Sequence, residues 1–312
     1  MAKLGKIAVV GSGAIGIYYG ARLAAAGQDV SFLLRNDFEH VREHGLKVES
    51  VAGDILLETV RCEKLTSDIG EVDLVIVAWK TTANEDAKEI ITPLIGENTQ
   101  LLVLQNGLGN CEYYAELFGA HRILGGLCFV CINRVSPGHV QHTASGLIRM
   151  GSYSGAKCPD DLTETFIQSG IPCEWVDSLE KAQWMKLVWN IPFNGLAIAE
   201  GGVDTAQLLG ELDLENELRA LMNEVLLCAA AFGHTIDPKL INHQINITRS
   251  MGAYKPSSMI DYVAGLPVEV EAIWGEPLRR AHLKNIPVPR MESLYRGICD
   301  KVSQQYFPKT FP

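Results

Sequence analysis

Residues 6–34 read KIAVVGSGAIGIYYGARLAAAGQDVSFLL, and their pattern decides the fold. Lys6–Val10 is a short apolar run, which predicts a buried strand. Gly11-Ser12-Gly13-Ala14-Ile15-Gly16 follows it as GxGxxG. Ala14–Ala26 then carries a helical pattern that stops at Gly27, and Asp29–Leu34 predicts a second strand. A glycine turn between a strand and a helix is the context that gives this motif meaning. Gly11 permits the tight turn, Gly13 lets a pyrophosphate approach the backbone, and Gly16 allows close helix–strand packing. The helix N-terminus attracts the phosphate charge. A dinucleotide site is expected across residues 11–16.

The alternation continues outward from this stretch. Asp73–Ala78 (DLVIVA) and Gln100–Leu104 (QLLVL) are further buried-strand candidates, separated by a helical segment near Ala83–Ile95. Strand–helix–strand alternation predicts a mainly parallel sheet with helices on both faces. Leu46–Leu57 alternates around Gly53-Asp54, a hairpin signal. Val140–Tyr153 and Cys173–Val176 add strands. From Ser178 the strand signals fade. Ser178–Leu196 reads as a helix, and Leu218, Leu221, Met222, Val225, Leu226, Ala229 and Phe232 keep helical spacing up to Gly233. Pro267–Lys284 and Pro289–Gln305 predict two more helices, each opening on proline. The expected fold is α/β, a Rossmann-type doubly wound N-domain over residues 1–177 and an all-helical C-domain over residues 178–312.

Two domains also suit a chain of 312 residues. A formal charge of −10 disfavours a general nucleic-acid binder, which needs a large basic surface. No apolar run approaches a membrane span, and Met1–Gly11 lacks a signal-type hydrophobic core, so a cytoplasmic location is expected. The eight cysteines are read as reduced thiols. Cys128 and Cys131 form CxxC, but on a strand residues three apart face opposite ways. No second cysteine pair or close histidine completes a metal site, so no metal is expected.

Several polar residues stand out against this frame. Arg35 lies nineteen positions after Gly16, at the end of the second strand, where the side chain that separates NAD from NADP is expected. Its guanidinium fork suits a 2′-phosphate, whereas Asp37 would suit an NAD ribose; Arg35 comes first, which favours NADPH. Lys80 and Asn106 each follow a predicted parallel strand, at the carboxyl end where ligands bind. Asn106-Gly107 also reads as an ordinary turn. Lys186, Asn190 and Asn194 are spaced i, i+4, i+8 on the helix 178–196, drifting about 40° per step, and so form one polar stripe. Their neighbours Trp184, Met185, Leu187, Val188, Trp189, Ile191 and Phe193 require that helix to be substantially buried. Buried polar groups need partners, which points to a polar pocket. Lysine can donate a proton to a carbonyl oxygen and stabilise the alkoxide that forms. Pro192 interrupts the stripe's helix and is expected to bend it. Glu269 and Glu271 open the helix 267–284, where the dipole favours acids. Ser257 and Ser258 precede a helix from Met259, where N-capping would explain them.

In these motifs the chain resembles the ketopantoate reductase (2-dehydropantoate 2-reductase) family. The resemblance rests on GSGAIG with Arg35, Lys80, Asn106-Gly107, Lys-x-x-x-Asn-x-x-x-Asn over 186–194, Ser-Ser-Met over 257–259 and Val-Glu-Val-Glu over 268–271. It implies NADPH-dependent reduction of a 2-oxo acid to a 2-hydroxy acid, the ketopantoate-to-pantoate step toward pantothenate and coenzyme A. It implies Lys186 as proton donor to the substrate C2 oxygen. Asn190 and Asn194 would bind substrate, and Ser258 with Ser257 would hold its carboxylate. Glu269 would lie beside the nicotinamide ribose and take part in catalysis. Asn106 would touch cofactor and position Lys186, while Lys80 and Arg35 would bind NADPH. The chain departs from the family at Trp189, Pro192, Phe193, Gly195 and Lys255, and is without an asparagine frequent near Asp204. A reductase of another 2-oxo acid and a non-catalytic NADP(H) sensor are the rival readings. No nucleic-acid or membrane partner is expected, and a homodimer through the helical half is left open.

Overall fold

The computed structural model describes residues 3–306. The chain forms two compact units, one of Met1–Gln105 with Asn110–Leu179, the other of Asn106–Gly109 with Glu180–Pro312.

The first unit is built on a sheet that has ten strands among the described residues. They are β1 (Lys6–Val10), β2 (Asp29–Leu33), β3 (Leu46–Ser50), β4 (Ile55–Leu57), β5 (Arg61–Glu63), β6 (Val72–Val77), β7 (Ile95–Val103), β8 (Ile123–Ser136), β9 (His139–Ser152) and β10 (Cys173–Trp175). The order is β4-β3-β9-β8-β7-β6-β1-β2-β5, with β10 on β9. β1 pairs in parallel with both β2 and β6, so the chain reverses direction of travel at β1. That reversal is the switch point where ligands bind in doubly wound sheets. β3–β4 and β8–β9 are antiparallel. The first is the hairpin read around Gly53-Asp54. The second turns at Pro137-Gly138, with Gly138 at φ +64°. Ile7, Val9, Ile76, Leu102 and Leu124 pack with Ile17 and Leu23 of the helix Ala14–Ala25 to make the core.

The helical segment expected over 83–95 is broken into a 3₁₀ turn Thr81–Asp86, one α-helical turn Ala87–Ile91 and a second 3₁₀ turn Thr92–Leu94. Pro93, which lacks an N–H, sits in the last of these and cannot extend an α-helix from Ala87. Strand β7 accordingly starts at Ile95, earlier than the apolar run alone indicates.

The second unit is helical: Leu179–Ala199, Thr205–Gly210, Leu212–Ala231, Lys239–Met251, Ser257–Val263, a π-turn Glu271–Gly275, Glu276–Leu283 and Pro289–Tyr306. Trp184, Val188, Ile191, Phe193, Met222, Val225, Ile273 and Ile298 form its core. The helix Leu179–Ala199 continues through Pro192. Gly195 on it meets Trp274 so closely that a Cβ would lie 2.9 Å from the indole nitrogen, and that indole donates to the Ile191 carbonyl at 3.0 Å. The departure at Gly195 therefore has a packing reason. Two helix starts differ from expectation. The helix predicted from Pro267 begins only at Val270, which leads into the π-turn, so Glu269 precedes the helix rather than lying within its first turn. Ser257 and Ser258 are helical residues, because Pro256 takes the cap position, and neither serine caps. Asp204, by contrast, caps the helix Thr205–Gly210 in a reciprocal box with Gln207.

All eight cysteines are unpaired thiols. Burial pushes the Cys173 and Cys228 thiols up to about 12, which keeps both protonated and unreactive. No helix among the described residues is long and apolar enough to cross a membrane.

His142 is buried in the first unit. Its Nδ1 faces the Ser50 hydroxyl at 2.8 Å and its Nε2 faces the Ala144 carbonyl at 2.9 Å. The carbonyl can only accept, so Nε2 carries the proton and Nδ1 accepts from Ser50. Burial lowers the His142 pKa below the ordinary imidazole value. The unfolded chain then binds a proton before the folded one does. The stability tied to His142 is complete above the ordinary imidazole value and is lost as pH falls toward the depressed one. Thermal unfolding checks this: between about pH 7.5 and about pH 5, wild type should lose more Tm than His142→Gln does over the same range.

Candidate active site

In the first unit the three motif glycines have different neighbours. Gly11 has φ +96°, and a Cβ there would lie 2.1 Å from the Trp79 backbone nitrogen. The turn after β1 is thus pressed against the segment leaving β6. A Cβ on Gly16 would lie 2.2 Å from the Gly11 carbonyl oxygen, so Gly16 permits close packing of helix on turn. Gly13 has nothing within 4 Å of its Cβ position and opens to free space. It stands at the helix N-cap, and no side chain caps that helix. Ser12 donates to the Leu33 carbonyl at 2.8 Å and ties the turn to the end of β2. The N–H groups after Gly13, from Ala14 and Ile15 onward, are therefore open to an anion, which fits a dinucleotide pyrophosphate.

Arg35 is exposed just beyond β2, and its guanidinium makes no hydrogen bond or ion pair among the described residues. Asp37 is occupied. Its carboxylate is buried and accepts from Arg134 Nη2 at 2.5 and 2.7 Å and from the Gly138 N–H at 3.2 Å. The acid that would have suited an NAD ribose is thereby withdrawn, and the arginine is the side chain left open.

Lys80 follows a cluster that the sequence did not advertise. Asn84 Oδ1 accepts from Trp79 Nε1 at 3.1 Å, Gln105 Nε2 at 2.7 Å and Tyr114 Oη at 2.9 Å. Gln105 Nε2 also donates to the Trp79 carbonyl at 3.1 Å. The ends of β6 and β7 are clasped together, and the backbone leading to Lys80 is fixed. Burial holds the Tyr114 phenol well above its ordinary range, so it stays a donor. Gln105 lies just past the apolar strand β7, a signal that could have found it, whereas Asn84 sits in the 3₁₀ turn Thr81–Asp86 with no such signal.

In the second unit the polar stripe divides its work. Lys186 Nζ donates to Asn106 Oδ1 at 2.8 Å. Asn194 is buried and fully engaged: Oδ1 accepts from the Ser258 N–H at 2.9 Å, and Nδ2 donates to the Asn190 carbonyl at 3.2 Å. It bridges two helices. The side chains of Asn190 and Ser258, 8% and 4% exposed, take no hydrogen bond among the described residues. They are polar and nearly buried, and Asn194 links their backbones. Ser257 and Lys255 are exposed.

Glu271 does not belong with this group. Tyr295 Oη and Arg279 Nη1 each donate to it at 2.6 Å. Burial raises its carboxyl, but these two bonds outweigh that and hold it below the ordinary range. Of the bulky departures, Trp189 Nε1 donates to Thr248 at 2.8 Å and stacks on Phe193, which is fully buried in the core. Phe193 is a packing residue.

Comparison with known proteins places the chain in a family. Residues 7–155 match the family model for ketopantoate reductase PanE/ApbA, and residues 178–301 match the model for its C-terminal part. The chain belongs to the ketopantoate reductase family. It is an oxidoreductase. It is 38% identical over 300 residues to a 2-dehydropantoate 2-reductase of Nostoc sp., covering 94% of each chain. A crystal structure of 2-dehydropantoate 2-reductase from Geobacter metallireducens superposes with a TM-score of 0.92 at 42% identity, covering 95% of this chain and 99% of that one. The enzyme from Methylococcus capsulatus gives a TM-score of 0.89 at 29% identity, covering 96% and 97%. The expected fold class, a Rossmann-type unit followed by a helical one, is the fold of these reductases.

Replacing Asn194 by Ala strands the buried Ser258 N–H. Urea unfolding should show a loss of about 1–3 kcal/mol, the cost of an unsatisfied buried donor. An unchanged midpoint would mean that the bridge does not hold Ser258.

Proposed function

We propose that the protein is an NADPH-dependent 2-dehydropantoate 2-reductase that converts ketopantoate to pantoate, a step toward pantothenate and coenzyme A. The observation that carries this reading is the Lys186–Asn106 hydrogen bond of 2.8 Å on a largely apolar helix. It aims an ammonium group from a buried stripe whose neighbours Asn190 and Ser258 are open to a ligand. NADPH bound along residues 11–16 would supply hydride to the carbonyl carbon at C2. Lys186 would hold the C2 oxygen and deliver its proton there, with its charge stabilising the alkoxide as it forms. Asn190 would bind substrate oxygens. Ser258, with Ser257 at its edge, would hold the carboxylate. Asn194 acts in this scheme by presenting Ser258 and Asn190. Glu269 would contact the nicotinamide ribose and substrate, Asn106 would orient Lys186 beside the cofactor, and Lys80 and Arg35 would hold NADPH.

The preference for NADPH rests on the open Arg35 guanidinium and the engaged Asp37 carboxylate. In functional terms residues 1–177 would carry the cofactor and residues 178–312 the substrate groups, with the loop 106–109 serving the latter. Eight unpaired thiols fit a reducing compartment, so the proposed location is the cytoplasm.

NADPH oxidation with ketopantoate, with other 2-oxo acids beside it, tests the reading. Turnover should be fastest with ketopantoate. Lys186→Ala should lower kcat by about 10²–10⁴, the usual reach of a general acid, with little change in NADPH affinity. NADPH binding without turnover on any 2-oxo acid would sink the proposal. Arg35→Asp removes a charge-assisted phosphate contact and should raise Kd for NADPH about tenfold or more while leaving NADH within about twofold. Equal effects on both would remove Arg35 as the reader of the 2′-phosphate.

A further inference from the structure

The turn Glu271–Gly275 is a π-helix, in which hydrogen bonds close over five residues. At its end the Glu276 N–H returns to the Glu271 carbonyl. In an α-helix that N–H would have gone to Ala272. The next donor that a π-step could offer Ala272 is at position 277, and Pro277 has no N–H. The Ala272 carbonyl is left without either helical donor. It accepts instead from the Leu108 N–H at 2.9 Å.

Leu108 lies in the short loop Asn106–Gly109, which belongs to the same unit. The loop lies flat on the π-turn. Gly107 has φ +89°, and a Cβ there would lie 2.1 Å from the Ala272 oxygen and 2.4 Å from its carbon. Both are backbone atoms, so no side chain can swing aside. The residue before Gly107 is Asn106, whose Oδ1 receives Lys186. Glu269 lies two residues before the same turn, and its carbonyl accepts from the Ile273 N–H at 3.2 Å.

We infer that Gly107 and Pro277 are positioning residues for the reduction: Pro277 keeps the Ala272 carbonyl free, that carbonyl anchors the Leu108 amide, and Gly107 allows the approach that sets Asn106 against Lys186. One π-turn thereby fixes both Glu269 and the partner of Lys186. The inference rests on Lys186 being the proton donor, but its physical part does not depend on turnover. In this scheme Gly107 and Pro277 act through Asn106.

Pro277→Ala gives the Ala272 carbonyl a helical donor and adds a good helix former without a clash, so the variant should fold. Gly107→Ala forces the loop off the turn. In amide hydrogen exchange on the full chain, the Leu108 N–H should be protected in wild type and exchange at least about tenfold faster in both variants. With ketopantoate and NADPH, Pro277→Ala should lower kcat about three- to tenfold with KM for the 2-oxo acid within about twofold, and in an Asn106→Ala background it should cause no further loss. Unchanged Leu108 exchange in Pro277→Ala would overturn the inference, as would a kcat loss that adds in full to that of Asn106→Ala. A wild-type chain that reduces no 2-oxo acid would overturn the proposed reaction, and the exchange measurement would still decide the anchoring.

Discussion

A polar stripe on a buried helix has to find partners, and the helical unit is organised around that constraint. Lys186, Asn190 and Asn194 follow one another along an apolar helix, where leaving a donor or acceptor unmatched costs on the order of 1–3 kcal/mol. Lys186 is matched by Asn106. Asn194 is matched twice, by the Ser258 amide and the Asn190 carbonyl. Each match draws in a different part of the chain: a four-residue loop in one case, the start of a short helix in the other. Asn190 and Ser258 are left with unmatched side chains next to a satisfied scaffold. That contrast, rigid support beside open polar groups, is what a preorganised binding site requires.

The cofactor unit solves a different problem, close backbone approach. Gly11 and Gly16 allow the turn to press on β6 and the helix to press on the turn, while Gly13 faces open space. The Trp79–Asn84–Gln105–Tyr114 cluster makes the floor of that turn stiff by clasping the ends of β6 and β7. Charge is arranged alongside. Asp37 serves Arg134 and Gly138, tying the start of the helix Phe38–His44 to the β8–β9 hairpin. Its structural use removes a negative group from the neighbourhood of Arg35.

Much of this was legible in the residues. Strand–glycine–helix punctuation marked β1, its helix and β2, because parallel buried strands leave uninterrupted apolar runs. The i, i+4, i+8 stripe announced itself because its neighbours were too apolar to be a surface. The π-turn was not legible: a five-residue closure leaves no hydrophobic period, and Pro267 looked like a helix start. Asn106-Gly107 looked like an ordinary turn, since nothing local reveals that Gly107 must sit on a carbonyl far along the chain at Ala272. The Asn84 cluster was missed for a similar reason. Its members come from four separate segments, the residue pair after β6, the 3₁₀ turn Thr81–Asp86, the end of β7 and the helix Asn110–Phe118, and nothing local to any of them points to the others. The structural use of Asp37 was not legible either, because its partner Arg134 lies about a hundred positions away and only the hairpin brings them together.

The helical unit is discontinuous in the chain: residues 106–109 belong to it although both flanks belong to the other unit. A recombination event or an engineered chimera joined near residue 177 would exchange the long helix and its lysine but leave the lysine's partner loop behind. Relatives can trade helical halves only when the donor and recipient agree at four residues encoded well upstream. The lysine of the stripe therefore keeps its hydrogen-bond partner only when a fragment of the first half of the chain travels with the second.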